Sequence, residues 1–295
     1  MCNHFPRILV IIAACALIFL QNGCAKRRSQ PASKDETKIA KSIDEMPAQN
    51  IAQKILSFNL EGYKDNGEKK WELSGACADI LSNVIKLDCV TAKAYGDEAC
   101  LTLTAKTGIY DKNTKDIHLE NHVVGRSSDG ARILTESLDW NQKAGRVTTD
   151  ALVRIEKDNL FSVGKGAVGT PSLKEVELKK DVLVEIRETP PTIITCEGPL
   201  VVDYKRNISI LNNKVKIADP RVEIYSDIMK VLFNPKTRKI TRVVAIGNVK
   251  IQREGNVTYS DRAIYTVKDG RVRLVGKPKI IVFPKSNKAQ TYGTK

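Results

Sequence analysis

Residues 243–249 have the sequence Val-Val-Ala-Ile-Gly-Asn-Val, in which two apolar positions flank a variable one, polar residues or Gly follow, and Val ends the segment. Related segments begin at residues 117, 147, 176, 208 and 272, so successive starts lie 29 to 35 residues apart. The clearest copies are Ile-His-Leu-Glu-Asn-His-Val (117–123), Val-Glu-Leu-Lys-Lys-Asp-Val (176–182) and Ile-Ser-Ile-Leu-Asn-Asn-Lys-Val (208–215). Self-similarity at this period predicts a quasi-linear stack of units that bury their apolar faces only together.

Each unit of about thirty residues contains two strands, because a second strand-like run precedes the repeated segment. Examples of this run are Ala105–Asp111 and Ser226–Asn234. Alternation places Val, Ile and Leu on one face of these strands and Lys, Glu, Asp and Thr on the other. Asp65-Asn66-Gly67 and Glu254-Gly255-Asn256 are strong hairpin sequences. We therefore predict an all-β fold whose apolar faces pack together, either as a sandwich or as an open, folded-over trough.

The N-terminus is typical of an exported protein. Ile8 to Leu20 is a run of thirteen uncharged residues, which is shorter than the roughly 20 residues that span a bilayer and fits a signal peptide over 1–23. Gly23-Cys24 resembles a lipobox, which predicts lipidation at Cys24. An uncleaved anchor is the alternative, but Lys26, Arg27 and Arg28 would hold the body of such a chain in the cytoplasm.

Export would place the remaining cysteines in an oxidising compartment. Cys77, Cys89, Cys100 and Cys196 allow two disulfides in three connectivities, and four small buried thiols are an equally good interpretation. The sequence contains no CxxC pair and only three His, so we predict neither a metal site nor a redox site. We also expect no cofactor.

Polar segments flank the repeats. Residues 24–55 are rich in charged residues, Ser and Gln, with two prolines, and are typical of a linker or lipid-anchored tether. Residues 286–295 are a polar tail. Thr189-Pro190-Pro191 predicts a hinge or a break in the sheet, because successive prolines donate no ladder hydrogen bonds.

Two stretches resemble known export proteins. Residues 58–76 (Phe-Asn-Leu-Glu-Gly-Tyr-Lys-Asp-Asn-Gly-Glu-Lys-Lys-Trp-Glu-Leu-Ser-Gly-Ala) resemble the opening of LptC-type lipopolysaccharide-export proteins, where a hairpin leads into a Trp-x-Leu-x-x-Ala strand. Residues 243–262 resemble the LptA/OstA-type repeat, whose Gly-Asn-Val strand turns into a second strand. These resemblances predict an LptC-like domain over 56–188 and an LptA/OstA-like domain over 189–285, although the family usually carries the two on separate chains.

The resemblance implies a function. Family members are β-jellyroll modules that stack end to end across the periplasm, and lipopolysaccharide moves along them with its acyl chains inside. The implied partners are lipopolysaccharide and, by edge-strand stacking, the inner-membrane transporter complex and the outer-membrane translocon. The implied location is the periplasm of a Gram-negative-type bacterium, with membrane attachment through the N-terminus. No enzymatic activity and no nucleic acid partner are implied. The net charge of +14 suits a phosphorylated glycolipid.

Repeat positions predict which side chains would face the lipid. Alternation alone favours a closed core, whereas the resemblance favours an open groove. The groove candidates are Ile117, Leu119, Val123, Val176, Leu178, Val182, Ile208, Ile210, Val215, Val243, Ala245, Val249, Val272 and Leu274. The alternative function is a structural or interaction β-sandwich surface lipoprotein without lipid cargo. A carbohydrate-active β-solenoid is disfavoured, because Trp71 and Trp140 are too few for a sugar platform.

Overall fold

The computed structural model describes residues 53–96, 100–171, 173–237 and 239–283. Over these ranges the chain forms seventeen strands in one sheet. Their bounds are β1 (Gln53–Tyr63), β2 (Lys69–Ile80), β3 (Val84–Tyr95), β4 (Cys100–Asp111), β5 (Ile117–Ser127), β6 (Arg132–Asn141), β7 (Arg146–Lys157), β8 (Leu160–Gly169), β9 (Glu175–Ile186), β10 (Thr192–Cys196), β11 (Leu200–Asp203), β12 (Ile208–Asp219), β13 (Val222–Phe233), β14 (Ile240–Arg253), β15 (Asn256–Thr266), β16 (Arg271–Val275) and β17 (Lys279–Ile281). No membrane-crossing helix occurs within the ranges just given. The predicted signal peptide, Cys24, the predicted polar tail and nearly all of the predicted linker lie outside them.

Strand order follows the chain, and neighbouring strands are antiparallel. β1 to β9 each pair with the next strand, and β12 to β15 do the same. β10 and β11 together fill one position between β9 and β12, and β16 and β17 together fill the position beside β15. The all-β prediction is confirmed. β1 begins at Gln53, three residues before the predicted domain start, because Ile55 already pairs with Ala78.

Most of the long strands bend near their middle. Asn121 and His122 in β5 and Asn213 and Lys214 in β12 have positive φ, and the pairing register shifts at the same points. Asn, Asp, His and Gly enter the left-handed region more readily than other residues. The polar residues of the repeated segment are therefore the bends. In the β10/β11 and β16/β17 positions the bend interrupts the strand altogether.

The bends fold the sheet onto itself, so that its two halves pack face to face. β9 contributes Leu178 before its bend and Ile186 after it to one core cluster, where both are buried. This packing confirms the predicted folded-over architecture. A second cluster fills β2 to β6, and the two clusters divide where β6 and β7 lose pairing between Leu134 and Asp139.

The sheet continues through the predicted domain boundary at 188/189. Thr192 pairs with Ile186 immediately after the Thr189-Pro190-Pro191 turn, and pairing runs on to Cys196 opposite Val182. The two prolines lie in the turn between β9 and β10, where no ladder hydrogen bond is required of them. The hydrogen-bonded ladder therefore has no break at this point.

Hairpin turns alternate between two margins of the folded sheet. Edge I comprises the turns at 81–83, 112–116, 142–145, 170–174, 204–207, 234–239 and 267–270. Edge II comprises the turns at 64–68, 128–131, 158–159, 187–191, 220–221 and 254–255, together with the connection from β3 to β4. The bends lie between these margins, along the closed side of the fold.

Candidate functional site

The interior is lined by rows of paired side chains that follow the sheet across its strands. Directly opposed residues of an antiparallel pair share a face, so the pairing traces each row. In one half, the row runs through Leu178, Leu200, Leu211, Met229, Ala245, Ala263 and Leu274. In the other half, a row crosses every strand position through Leu60, Leu73, Ala92, Leu103, Gly125, Ile133, Ile155, Ser162, Val184, Ile194, Ile217, Ile224, Ile251, Thr258 and Ile280.

Side chains fill most of this interior. A cavity of about 60 Å³ lies where β6 and β7 separate, and its lining includes Leu138, Val153 and Ala167. This is smaller than the roughly 150 Å³ of an apolar cavity that accepts benzene. An acyl chain would therefore enter only if the two halves of the sheet moved apart.

The interior opens at the C-terminal end of the sheet. A recess of about 440 Å³ is lined there by inner-face residues, among them Ile251, Val272, Leu274 and Ile280. Val272 is 37% exposed and Ile280 is 62% exposed, whereas Leu178, farther inside, is 2% exposed. The apolar rows thus pass from a filled core to an accessible mouth.

Twelve of the fourteen predicted groove residues lie on the inner face, where nine are buried, Val176 is half-buried, and Val272 and Leu274 are partly accessible near the mouth. They are Ile117, Leu119, Val123, Val176, Leu178, Val182, Val215, Val243, Ala245, Val249, Val272 and Leu274. The facing predicted for Ile208 and Ile210 is wrong. Leu211 pairs with buried Met229 on the inner face, so Ile210, one residue earlier, points outward beside Lys230. Alternation puts Ile208 on the same outer face.

Leu211 is absent from the predicted set because that set places this copy by its first residue, Ile208. In the regular copies the second inner residue lies four positions before the closing Val, as Leu119 does before Val123 and Ala245 before Val249. Counting four positions back from Val215 gives Leu211. The facing half, with Ile217 and Ile224, was also missed, although period-two alternation marks its strands.

No disulfide joins Cys77, Cys89, Cys100 and Cys196 in the described part of the chain. Cys89 is exposed, Cys77 and Cys100 are half-buried, and Cys196 is buried beside the break between β10 and β11. Burial raises the pKa of the Cys196 thiol, against hydrogen bonds from Gly198 and Asn212 that act the other way. The interpretation as a small buried thiol therefore fits Cys196 alone, and disulfide formation in the oxidising compartment stays a prediction.

We expect these thiols to differ in reactivity, since the thiolate is the reactive form. In the purified protein, Cys89 should react with a maleimide about tenfold or more faster than Cys196. Mass spectrometry of the labelled peptides over time measures both rates. Resistance of all four residues to labelling until a reductant is added would instead indicate two disulfides.

An ionic cluster lies on the outer face of β5 and β6. His118 Nδ1 is 2.6 Å from Asp139 Oδ1, and His118 Nε2 is 2.7 Å from Glu120 Oε1. Partial burial opposes charging of the ring, but hydrogen bonds to the two carboxylates outweigh it and raise the pKa of His118 above its usual value. When protonated, the ring therefore links β5 to β6 on the outer face by ionic hydrogen bonds, and we call this interaction the His118 clamp.

This raised pKa predicts the pH at which the clamp stabilises the fold. A histidine whose pKa is higher in the folded state than in the unfolded state stabilises the folded protein. This contribution is complete at pH values below the pKa of the unfolded state, near 6.5. It is lost as the pH rises through the pKa of the folded state. The difference in unfolding free energy between the native protein and His118→Gln should be about 1 kcal/mol or less at pH 6. It should shrink by pH 9. Denaturant melts at both pH values measure it, and a larger difference at pH 9 would contradict the assignment.

The two ends of the sheet present apolar side chains on strands that lack an outer neighbour within the described ranges. Leu56 on β1 is 74% exposed. At the other end, Val282 and Phe283 follow β17 and are 70% and 55% exposed. Open sheet edges with exposed apolar residues favour pairing with a further strand.

Two family models match the sequence, one after the other along the chain. Residues 8–186 match the model described as lipopolysaccharide-assembly, LptC-related. Residues 199–295 match the model described as LptA/(LptD N-terminal domain) LPS transport protein. No curated protein matches the sequence significantly. Among solved structures, the LptA-homologous periplasmic component LptH of Pseudomonas aeruginosa is 14% identical, with a TM-score of 0.25, over 52% of this chain and 95% of LptH.

Proposed function

Because this chain belongs to the LptC-related family of lipopolysaccharide-assembly proteins, we propose that it binds lipopolysaccharide and passes it along its folded sheet. Its two matched domains are those of periplasmic lipopolysaccharide transport. The observation that carries the proposal is the continuous apolar inner surface, which runs from β1 to β17 and opens at the C-terminal mouth. The acyl chains lie between the two halves, and the sugars remain outside.

The energetics favour such a path. Each methylene group exposed to water costs about 0.8 kcal/mol, so an acyl chain needs apolar cover throughout its passage. Contacts with Leu, Ile and Val side chains are non-directional, which lets the chain slide from one row to the next. Entry begins at the mouth, where Leu274 is accessible, and proceeds as the two halves separate about the bends.

The ends of the sheet fit a place within a longer bridge. The seventeen strands fill fifteen positions, which at about 4.8 Å per position gives a sheet roughly 70 Å across. Strand addition at β1 and at the β16/β17 edge would continue the inner surface into neighbouring export components. We further propose that residues 1–23 direct export and that Cys24 attaches the chain to a membrane.

Site-specific photocrosslinking tests the proposal. Benzoylphenylalanine replaces Leu274 in one protein and Arg273 in another, and each full chain is expressed in a Gram-negative host. These adjacent strand positions face opposite sides, since Leu274 pairs with buried Ala263 while Arg273 pairs with Ile264 on the outer face.

We expect lipopolysaccharide adducts at position 274 to exceed those at position 273 at least tenfold on an immunoblot, in line with about 1.4 kcal/mol per factor of ten in occupancy. Equal or absent labelling of two correctly folded proteins would contradict lipid transfer. That result would favour the structural lipoprotein without cargo.

A further inference from the structure

The two margins of the folded sheet differ in charge. Counting each turn with its flanking residue on either side, the described part of edge I contains eleven Lys and Arg against five Asp and Glu. The described part of edge II contains seven of each sign. The positive excess of the described turns therefore lies entirely along edge I.

Edge II neutralises its cations locally. Lys157 Nζ is 2.6 Å from Asp129, Arg221 Nε is 3.1 Å from Asp219, and the Nε atom of Arg253 is 3.8 Å from Glu254. Each of these cations faces a carboxylate of its own edge. Little positive potential remains there for an external anion.

Six of the eleven described cations of edge I have no carboxylate partner, whereas Lys205 lies 3.2 Å from Glu175 and Arg206 lies 3.5 Å from Asp203. Among the described residues, no carboxylate lies within 4 Å of the side-chain nitrogens of Lys143, Arg146, Lys236, Lys239, Lys268 or Arg271, and all six side chains are exposed. A further carboxylate of this edge is occupied by backbone amides. Asp111 accepts hydrogen bonds from the backbone amides of Asn113 and Thr114, which lower its pKa.

These cations stand at the rim of the apolar interior. Phe233 and Ile240 flank the β13–β14 turn and are 8% and 3% exposed within the core cluster. Lys236 and Lys239 lie in the same turn and face solvent. A ligand that fits both surfaces has an apolar chain and, within a few ångströms of it, a negative head group.

We propose that edge I binds the phosphate groups of the transported amphiphile, so that the lipid lies in the trough with its phosphates against this edge and not against edge II. Successive turns of edge I are two strand positions apart, about 10 Å, and all but the first carry Lys or Arg. The head group thus meets cationic turns at regular steps along the path, and the six cations without a carboxylate partner lie at three of them, 142–145, 234–239 and 267–270, or directly after. This inference rests on the proposed function and adds a fixed orientation for the cargo.

The strength of such sites suits transfer. A solvent-exposed pair of opposite charges contributes only about 0.2 to 1 kcal/mol, so each contact breaks readily and the next one replaces it. The apolar rows bind the acyl chain of the lipid, while the cations determine which edge the head group lies against. Charge interactions at exposed sites weaken with salt, which gives a second observable.

Two variants with the same change in net charge test the inference. The edge I variant carries Lys143→Gln, Arg146→Gln, Lys236→Gln and Lys239→Gln. The edge II variant carries Lys64→Gln, Arg132→Gln, Arg187→Gln and Arg253→Gln. Each full chain is expressed, and the exported protein is purified from the periplasm. Its affinity is measured for diphosphorylated lipid A and for the same lipid after phosphatase treatment, at low and high salt. If the quadruple edge I variant does not fold, the double variant Lys236→Gln with Lys239→Gln replaces it.

We expect the edge I variant to bind diphosphorylated lipid A about tenfold more weakly than the native protein, with a smaller loss of affinity in high salt. The edge II variant should bind within about twofold of the native protein, and all three proteins should bind the dephosphorylated lipid alike. Equal losses in both variants, or no loss in either, would overturn the edge assignment while leaving lipid transfer intact. Failure of all three proteins to bind either lipid would overturn the proposed function and the inference together.

Discussion

Replacing Leu211 by Ala should lower the free energy of unfolding by about 3 kcal/mol, within the 2 to 5 kcal/mol typical of buried Leu→Ala changes. Leu211 is 6% exposed and pairs with Met229, which is 1% exposed, so truncation leaves a cavity between the two halves of the sheet. The same truncation one residue earlier, Ile210→Ala, should cost about 1 kcal/mol or less, because Ile210 is only half-buried on the outer face.

Chemical denaturation of the two variants measures this difference directly. Both variants remove aliphatic carbons from adjacent positions of β12, so changes in strand propensity and in the unfolded state largely cancel. Larger destabilisation by Ile210→Ala would restore the facing predicted from the sequence and would contradict the register of β12 and β13.

Replacing Gly198 by Ala should destabilise the protein by roughly 3 kcal/mol or more, since backbone strain and a steric clash add together. Gly198 has φ +98°, and a Cβ there would lie 2.4 Å from the carbonyl oxygen of Lys179 and 3.0 Å from the Cα of Lys180. Because the clash is with backbone, no side-chain rotation relieves it. The break between β10 and β11 would have to move away from β9.

Gly255→Ala is the matched control. Gly255 has φ +83°, but open space surrounds its Cβ position, so substitution there incurs the backbone strain without the clash. We expect a cost of about 1 kcal/mol for Gly255→Ala, measured by the same denaturant titration. Equal costs at the two positions would show that β9 and the β10/β11 break do not approach as closely as described.

The sequence predicted those features of the fold that depend on local pattern. Alternation along 243–249 and 176–182 gave strands with Val243, Ala245 and Leu178 on the inner face, because side-chain direction in a strand follows from a period of two. The hairpin predicted at Glu254-Gly255-Asn256 also occurs, since its residues favour a tight turn.

Alternation of apolar residues could not predict the bends. A bend shifts the pairing between neighbouring strands, but the apolar residues on either side of it still follow a period of two. Asn213 and Lys214 stand in the sequence only as polar residues of the repeated segment, whereas their positive φ makes them the bend of β12. This copy also has one more apolar residue, Leu211, directly after Ile210. Placing the copy by its first residue therefore put Ile208 and Ile210, instead of Leu211, on the inner face. The sequence also could not predict whether the interior is filled or open, because that depends on how closely the two halves of one sheet approach each other.

The order of pairing has a consequence for how the molecule is built. Every strand position between the two ends of the sheet pairs with the positions directly before and after it along the chain. Native contacts therefore close short loops, and such contacts form quickly. The sheet can therefore grow from its first hairpin as the chain is delivered N-terminus first, each two-strand unit completing the apolar cover of the one before it. Loss or gain of one whole unit shortens or lengthens the molecule without reordering the rest, so evolution can alter its length in steps of one repeat.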